Sequence, residues 1–535
     1  MNEALGHLVV APIVLPLAVA ALTLVADPRP LRIALSLAAT VALLLISVTL
    51  LLFASTPGNG VSVYELGDWP APFGIVLVLD RLSAMMLTLS STLALAALVF
   101  SLARWERAGP RFHALFLLLL TGLNGAFLTG DLFNLFVFFE VLLAASYGLV
   151  LHGSGAPRVK AGLHYIAINL GASSLFLIGV SVIYGVTGTL NMADLAQRIA
   201  LISGAERTLF EVGCAVLGVA FLTKAGAWPL GFWLPPTYSA ASAPAAALFA
   251  IMTKVGVYAT LRAAFLFFPP DAGGGPSAAA PVLLFGGVLT IAMSAIGMLA
   301  ARSFSRIAGF SVLISSGAVL AILGAGGERA LSGALYYMLS STLAVAAFFL
   351  LIELLNRARG TTGPALSPPV FADEYRDPYD DGPPSEEVGV IIPVAIALIS
   401  GGFILCALLL AGLPPLSGFI GKFAMMAALV ETGAAASWVL ITLLTVSSFA
   451  ALIALLRIGI ETIWSQGERV VPRVRGVEFA AIAGLLMVCV GMTTHGAAVL
   501  RYTDDTVAWL YQPADYIAAV LGDAGGAPAS SEAPP

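Results

Sequence analysis

Charge is scarce in this chain. Asp, Glu, Lys and Arg make up 10% of its 535 residues against 59% hydrophobic residues, and the mean hydropathy is +0.98. A water-solvated globular domain is excluded as the body of such a protein, because too few polar groups exist to cover it. The net charge of −5 is scattered and forms no basic stripe, which excludes nucleic acid as a partner. Cysteine is almost missing as well. Cys214, Cys406 and Cys489 lie far apart in apolar stretches, with no CxxC and no His-rich neighbour, so neither a disulfide framework nor a haem, cluster or metal site is expected. No cofactor and no catalytic residue is expected either, and the chain is not read as an enzyme. Lysine is the scarcest charge, at four residues against 21 arginines.

Apolar stretches fill the space that charge leaves. A helix needs about 20 apolar residues to cross a hydrocarbon layer roughly 30 Å thick. The hydropathy pattern predicts an all-α polytopic membrane protein with fourteen transmembrane helices, near 4–25, 31–53, 79–102, 112–130, 132–152, 162–186, 208–233, 240–267, 277–300, 306–325, 330–355, 391–431, 437–460 and 477–497. The stretch from Leu5 to Ala26 is read as the first span rather than a secretory leader, since its approach carries Glu3 and no Lys or Arg. The seventh and twelfth spans are interrupted by proline, at WPLGFWLPP (228–236) and LPPLSGFIGK (413–422), and are expected to be broken helices. Drawn this way, with the N-terminus outside, fifteen of the 25 basic residues fall in inner loops, as the positive-inside rule requires. Arg262 counts among the five at outer ends, and both termini face outward. A bacterial or archaeal-type plasma membrane is the expected location.

Two breaks five spans apart suggest two inverted five-helix repeats, each with a broken helix. The expected organisation is a three-helix segment at 1–111, a first repeat at 112–267, a second at 277–460, and a last helix with its tail at 461–535. One polar insert, 357–390, reads as a disordered inner loop. Residues 190–205 and the tail after His495 look amphipathic and interfacial, and the last dozen residues should be disordered.

Three of the four lysines, Lys224, Lys254 and Lys422, stand deep inside apolar spans. A charge there costs about 2.5–3.5 kcal/mol on insertion scales, so each calls for a function. Glu140 is the one deep carboxylate, and Lys224 is its expected partner. Burial pulls a lysine toward neutrality and a nearby carboxylate restores its charge, so a movable pair takes up and releases protons. Sodium needs clustered oxygen ligands and is repelled by ammonium groups; one Glu against three Lys therefore indicates H⁺ here, with any Na⁺ bound elsewhere in a complex. Pro229 follows Lys224 by five residues, and Pro414 and Pro415 precede Lys422 by eight and seven, so each break frees backbone groups close to a lysine. Ser311, Ser315 and Ser316 in the tenth span and Tyr336, Tyr337, Ser340, Ser341 and Thr342 in the eleventh are the expected relay or water-ordering groups between lysines. The five histidines lie near helix ends.

At these residues the sequence resembles the antiporter-like subunits shared by respiratory complex I, membrane-bound hydrogenases and Mrp-type multisubunit Na⁺/H⁺ antiporters. The resemblance is carried by LDRLSAMML (79–87), TGDLFNLFVFFEVL (129–142), LTKAGAWPLGFWLP (222–235), SAPAAALFAIMTKVGVYA (242–259) and GLPPLSGFIGKF (412–423), and spans about 79–500. It implies that Glu140 and Lys224 form the family's charge pair, that Lys254 is its eighth-helix lysine and that Lys422 is its terminal proton site. A lysine on the twelfth span looks like the Mrp D subunit and some complex I subunits, and the TKVGVYA stretch looks most like the Mrp D subunit. One departure stands out: YYMLSSTLAVAAFF (336–349) lacks the His and Lys of many relatives, which implies water held by hydroxyls instead. The resemblance implies a proton-translocating subunit acting with other membrane subunits of an antiporter complex. Two other readings are a pumping subunit of a redox-driven complex, decided by co-purified flavin or iron–sulfur proteins, and a self-sufficient transporter of an organic solute, decided by a substrate-dependent current from the chain alone.

Overall fold

The computed structural model describes residues 3–56, 60–109, 111–269, 279–358, 393–461 and 474–522. Apolar stretches become helices because a backbone in hydrocarbon must satisfy its own N–H and C=O groups. In chain order they are α1 (Glu3–Leu8), α2 (Ala11–Val25), α3 (Arg29–Ser55), α4 (Arg81–Ser101), α5 (Phe112–Leu128), α6 (Leu132–Leu151), α7 (Ala156–Thr187), α8 (Met192–Ile199), α9 (Gly204–Ala225), α10 (Leu234–Ala240), α11 (Ala243–Phe267), α12 (Ala280–Ala300), α13 (Phe304–Ala325), α14 (Glu328–Ala358), α15 (Pro393–Ala411), α16 (Ser417–Thr432), α17 (Ala435–Gly459), α18 (Gly476–Thr494), α19 (Gly496–Leu510) and α20 (Pro513–Leu521). Twelve helices among the described residues are long and apolar enough to cross a membrane, and α2 and α5 are shorter apolar helices. A small antiparallel hairpin, β1 (Ser62–Glu65) and β2 (Val76–Leu79), precedes α4.

Local chemistry sets several helix starts. Asp80 accepts from the Ser83 backbone N–H while the Ser83 hydroxyl accepts from the Asp80 N–H, closing a capping box on α4. Asp131 caps α6 through Asn134 N–H, and Asn191 caps α8 through Ala193 and Asp194 N–H.

The bundle has a buried axis and an outer ring. Helices α11 and α14 are buried along their whole apolar lengths and α4 and α13 over most of theirs, whereas α3, α7, α12, α15, α17 and α18 leave more than half of theirs open. Leu52, Phe285 and Met487 are each about two-thirds exposed on that ring, as apolar side chains facing acyl chains are. Small residues bring helices close. A side chain on Gly287 of α12 would meet the Ala321 nitrogen of α13 at 2.4 Å, and one on Gly421 of α16 would stand 2.8 Å from the Tyr337 Cα of α14.

The two proline breaks are present. Helix α9 ends at Ala225 and α10 starts at Leu234, with Pro229 between them, and α15 ends at Ala411 and α16 starts at Ser417, with Pro414 and Pro415 between them. One expectation needs correction. The first span is two helices, divided at Val9–Val10. The tail after His495 is helical: α19 packs along α14, with Ser332 and Thr503 hydroxyls 2.9 Å apart, and α20 packs on α8. Arg262 stands near the end of α11, as expected of a residue at a helix end, and is buried there in an ion pair with Asp80 at 2.5 Å, because α20 and the start of α4 enclose it. The insert 357–390 beyond Ala358 and the last dozen residues lie outside the described residues.

Charge pairs collect at the two ends of the bundle. At one end Arg29 pairs with Glu106, which also meets His113 Nε2 at 3.2 Å, and Arg357 joins Glu353 and Glu478 at 3.1 and 2.8 Å. At the other end Arg81 meets Asp505 at 2.8 Å and Arg329 meets Glu431 at 3.1 Å. Each pair joins residues assigned by hydropathy to the same side.

Two consequences are measurable. Gly287→Val should sharply reduce the monodisperse chain extracted from membranes, as read by fluorescence-detected size exclusion, while Gly286→Val, beside which nothing lies within 4 Å, should leave it unchanged. For Glu106, which lies in a connection between spans, burial opposes ionisation, but hydrogen bonds from His113 and Arg29 outweigh it and hold the carboxyl below its ordinary value. A depressed carboxyl stabilises the fold above its unfolded pKa of about 4.3 and loses that contribution as pH falls through the folded value. Glu106→Gln should therefore lower the melting temperature in detergent at pH 7, with the difference from wild type shrinking below about pH 4.

Candidate functional site

The three lysines are buried, with relative exposures of 7%, 1% and 3% for Lys224, Lys254 and Lys422. Each stands where a helix end or a small residue opens room beside it. Helix α9 stops one residue after Lys224, at Gly226, whose φ of +75° suits glycine and ends the helix in a left-handed turn. Pro229 lies in the irregular segment that follows, whose Trp228 N–H is bonded to Thr290 Oγ1 of α12 at 2.8 Å. Gly256 of α11 lets this helix end approach, since a side chain there would meet the Ala225 nitrogen at 2.5 Å. Lys224 and Lys254 consequently sit on touching helices.

Lys224 Nζ has no hydrogen-bond partner among the described residues and lies 4.9 Å from the centroid of the Phe139 ring. The ring face attracts the ammonium without fixing it. Glu140, the next residue on α6, is half-buried and interacts electrostatically with Lys224, but makes no ion pair within 4.0 Å among the described residues. Its carboxylate instead accepts a hydrogen bond from the Ser173 hydroxyl of α7. The expected pair is thus brought together without direct contact.

Lys254 Nζ donates to Ser316 Oγ at 3.0 Å and to the Val312 carbonyl at 3.3 Å, both on α13. Next to Ser316, Ser315 shares a 2.6 Å hydrogen bond with Ser341 of α14. Next to Ser341, Ser340 shares one of 2.7 Å with Ser417, the first residue of α16. Lys422 follows on α16; its Nζ donates to Ser448 Oγ of α17 at 2.7 Å and to the Ala411 carbonyl at 3.2 Å. That carbonyl ends α15 just before Pro414 and Pro415, where the helix can no longer use it. The Tyr337 ring centroid is 5.4 Å from Lys422 Nζ. Three hydrogen-bonded links, Lys254–Ser316, Ser315–Ser341 and Ser340–Ser417, thereby step across three helices from Lys254 toward Lys422, with gaps between them at neighbouring serines and between Ser417 and Lys422.

The remaining expected relay groups do other work. Ser311 bonds the Ile307 carbonyl and Thr342 that of Met338, each within its own helix, and Tyr336 ties α14 to α18 through the Met492 carbonyl at 2.8 Å. Three groups in direct contact with site residues escaped sequence reasoning: Ser173, Ser417 and Ser448. Only Ser417 carried a sequence cue, its place in PPLSG beside the proline break. Asp80 and Arg262 were also missed as a pair, since 182 positions separate them.

Neutral hydroxyls can both accept and donate, so this arrangement can hold a proton on either lysine amine and pass it between them with bridging water. Among the described residues no group of three His, Cys, Asp or Glu is placed to hold a metal ion.

Residues 129–365 match the family described as NADH:quinone oxidoreductase/Mrp antiporter, TM. The chain is 52% identical, over 97% of its own length and 98% of the relative's, to the D subunit of a probable K(+)/H(+) antiporter of Rhizobium meliloti. It is 33% identical to the D subunit of a Na(+)/H(+) antiporter of Alkalihalophilus pseudofirmus, covering 97% of this chain and all of that one. Among solved structures, a chain of the Mrp complex from Dietzia sp. DQ12-45-1b aligns with a TM-score of 0.80 at 27% identity, covering 98% of this chain and 100% of that one. A chain of respiratory complex I from Thermus thermophilus aligns with a TM-score of 0.74 at 23% identity, over 96% and 100%, a likeness of fold. End-to-end identity of this degree, on a fold with broken helices and buried lysines, shows that the chain belongs to the family of cation/proton antiporter D subunits.

Proposed function

We propose that this chain is the proton-carrying subunit of a multisubunit monovalent cation/proton antiporter in a bacterial plasma membrane. The observation that carries the reading is the row of hydroxyl links stepping from Lys254 toward Lys422, with Lys224 left free to exchange its proton near Glu140. Protonated Lys224 is stabilised by the field of Glu140; withdrawal of that carboxylate, or the approach of another charge, releases the proton toward Lys254. Lys254 and Lys422 then exchange it through Ser316, Ser315, Ser341, Ser340, Ser417 and intervening water. The units 112–267 and 277–460 act as two inverted repeats, each with one break and one lysine at it, and both termini lie on the outer side.

Other membrane subunits complete the exchanger and supply the cation route, because the ammonium groups at both ends of this row repel a metal cation and no carboxylate among the described residues pairs with them. The cation is Na⁺ or K⁺: the 33% relative is named for Na⁺/H⁺ exchange and the 52% relative for K⁺/H⁺ exchange, which favours K⁺ as the second reading.

In everted vesicles carrying the whole complex, Glu140→Ala, Lys224→Ala and Lys422→Ala should each abolish cation-induced collapse of a proton gradient while the complex still assembles. Full exchange by all three variants would refute the proton path. Lys224→Arg should fail as well, since a guanidinium keeps its proton. Adding K⁺ or Na⁺ separately to the wild-type vesicles identifies the cation: a K⁺ response at least tenfold more sensitive than that to Na⁺ assigns K⁺, and the reverse assigns Na⁺.

A further inference from the structure

A second polar column leaves Lys254 in the other direction. Lys254, Tyr258 and Arg262 are four residues apart on α11, so they follow one face of the helix over a rise of about 12 Å. The column ends at the membrane face where α4 begins and α11 finishes. Tyr258 and Arg262 are both buried, although a guanidinium in an apolar bundle is expensive unless it is paired.

Arg262 is paired on several sides at once. Its Nη1 meets Asp80 Oδ2 at 2.5 Å, its Nη2 donates to the Tyr258 hydroxyl at 3.0 Å, and its guanidinium lies 5.3 and 5.2 Å from the ring centroids of Tyr258 and Tyr516. The Tyr258 hydroxyl donates in turn to the Phe127 carbonyl at 2.6 Å. Beside Tyr258 and Arg262 lies a cavity of about 10 Å³, also lined by Thr129, room for a single water.

The tail closes this column from outside. Tyr516 belongs to α20, and α19 is fastened to the start of α4 by the Arg81–Asp505 ion pair and by the Tyr502 hydroxyl bonded to the Arg81 carbonyl at 2.7 Å. A purely structural clamp would account for the ion pair. It would not account for a phenol hydroxyl and a water-sized space beside the Asp80–Arg262 pair, on the helix face that also carries the central lysine.

We propose that Asp80 and Arg262 are the gate of a proton port that opens from Lys254 to this face of the membrane, with Tyr258 as its relay and α20 as its cover; the proposal rests on the proton reading above. A proton leaving Lys254 Nζ passes by water and the Tyr258 hydroxyl to the Asp80 carboxylate, which then no longer pairs with Arg262. Its release to the membrane face restores the carboxylate and closes the pair. No net charge is created, and the steps run equally in reverse.

The test uses the whole complex in everted vesicles. Tyr258→Phe removes one hydroxyl and no ring, and should lower cation-driven proton exchange at least tenfold in a complex that assembles normally. Asp80→Asn keeps an acceptor oxygen for the α4 cap but leaves Arg262 unbalanced, and should block exchange to the same degree. The double variant Asp80→Asn with Arg262→Gln removes both gate charges and should let a proton gradient decay without added cation, an uncoupled leak that a structural clamp would not produce. Exchange within twofold of wild type in Tyr258→Phe overturns the port, as does an assembled double variant with no leak. Should the Asp80 variants fail to assemble, Tyr258→Phe decides by itself. If Lys224→Ala and Lys422→Ala abolish exchange while Tyr258→Phe retains it, the port alone fails; if they retain exchange, the proton reading fails.

Discussion

An amine held in a hydrocarbon slab must find polar partners, yet must not be held so firmly that it never gives up its proton. Everything else in this bundle follows from meeting both demands. A full carboxylate against Lys254 or Lys422 would lock each in its charged form. Neutral oxygens do not: Lys254 has a serine hydroxyl and a carbonyl, and Lys422 the same two kinds of partner. Lys224 is looser still, with a ring face and the field of a carboxylate that is itself bonded to Ser173.

Lys254 takes its carbonyl from within the continuous helix α13, whereas Lys422 takes one from a helix that stops. The end of α15 before the Pro414–Pro415 step leaves the Ala411 carbonyl to Lys422, and the end of α9 before Pro229 places Lys224 beside an irregular segment instead of a further helical turn. Close helix approach is also required. Gly256 and Gly421 let α9 meet α11 and α16 meet α14 nearly backbone to backbone, which brings lysines and hydroxyls from different helices within reach.

Charge is distributed to match. Full ion pairs stand at the two ends of the bundle, where Glu106, Glu353 and Glu478 meet arginines on one side and Asp80, Glu431 and Asp505 on the other. Between them the buried axis carries lysines and hydroxyls. A fixed ion pair in the middle would trap a proton or repel it, whereas at the ends it anchors helices, as Asp80 and Arg262 tie the start of α4 to the end of α11.

Much of this was legible in the sequence for a simple reason: apolar length, proline and a lone lysine in an apolar run act locally, so the membrane class, the two breaks and the three buried lysines could be read directly. Glu140 was legible for the same reason. What the chain order concealed were relations between distant segments. That Glu140 stands near Lys224 but bonds Ser173, that Ser315 meets Ser341 while Ser311 turns back on its own helix, and that Asp80 pairs with Arg262 under Tyr516 all depend on which helix faces touch. One serine looks like another until a neighbouring helix supplies or withholds a partner. The sequence by itself determined that lysines would be buried in a membrane; the tertiary structure decided which oxygens each of them would meet.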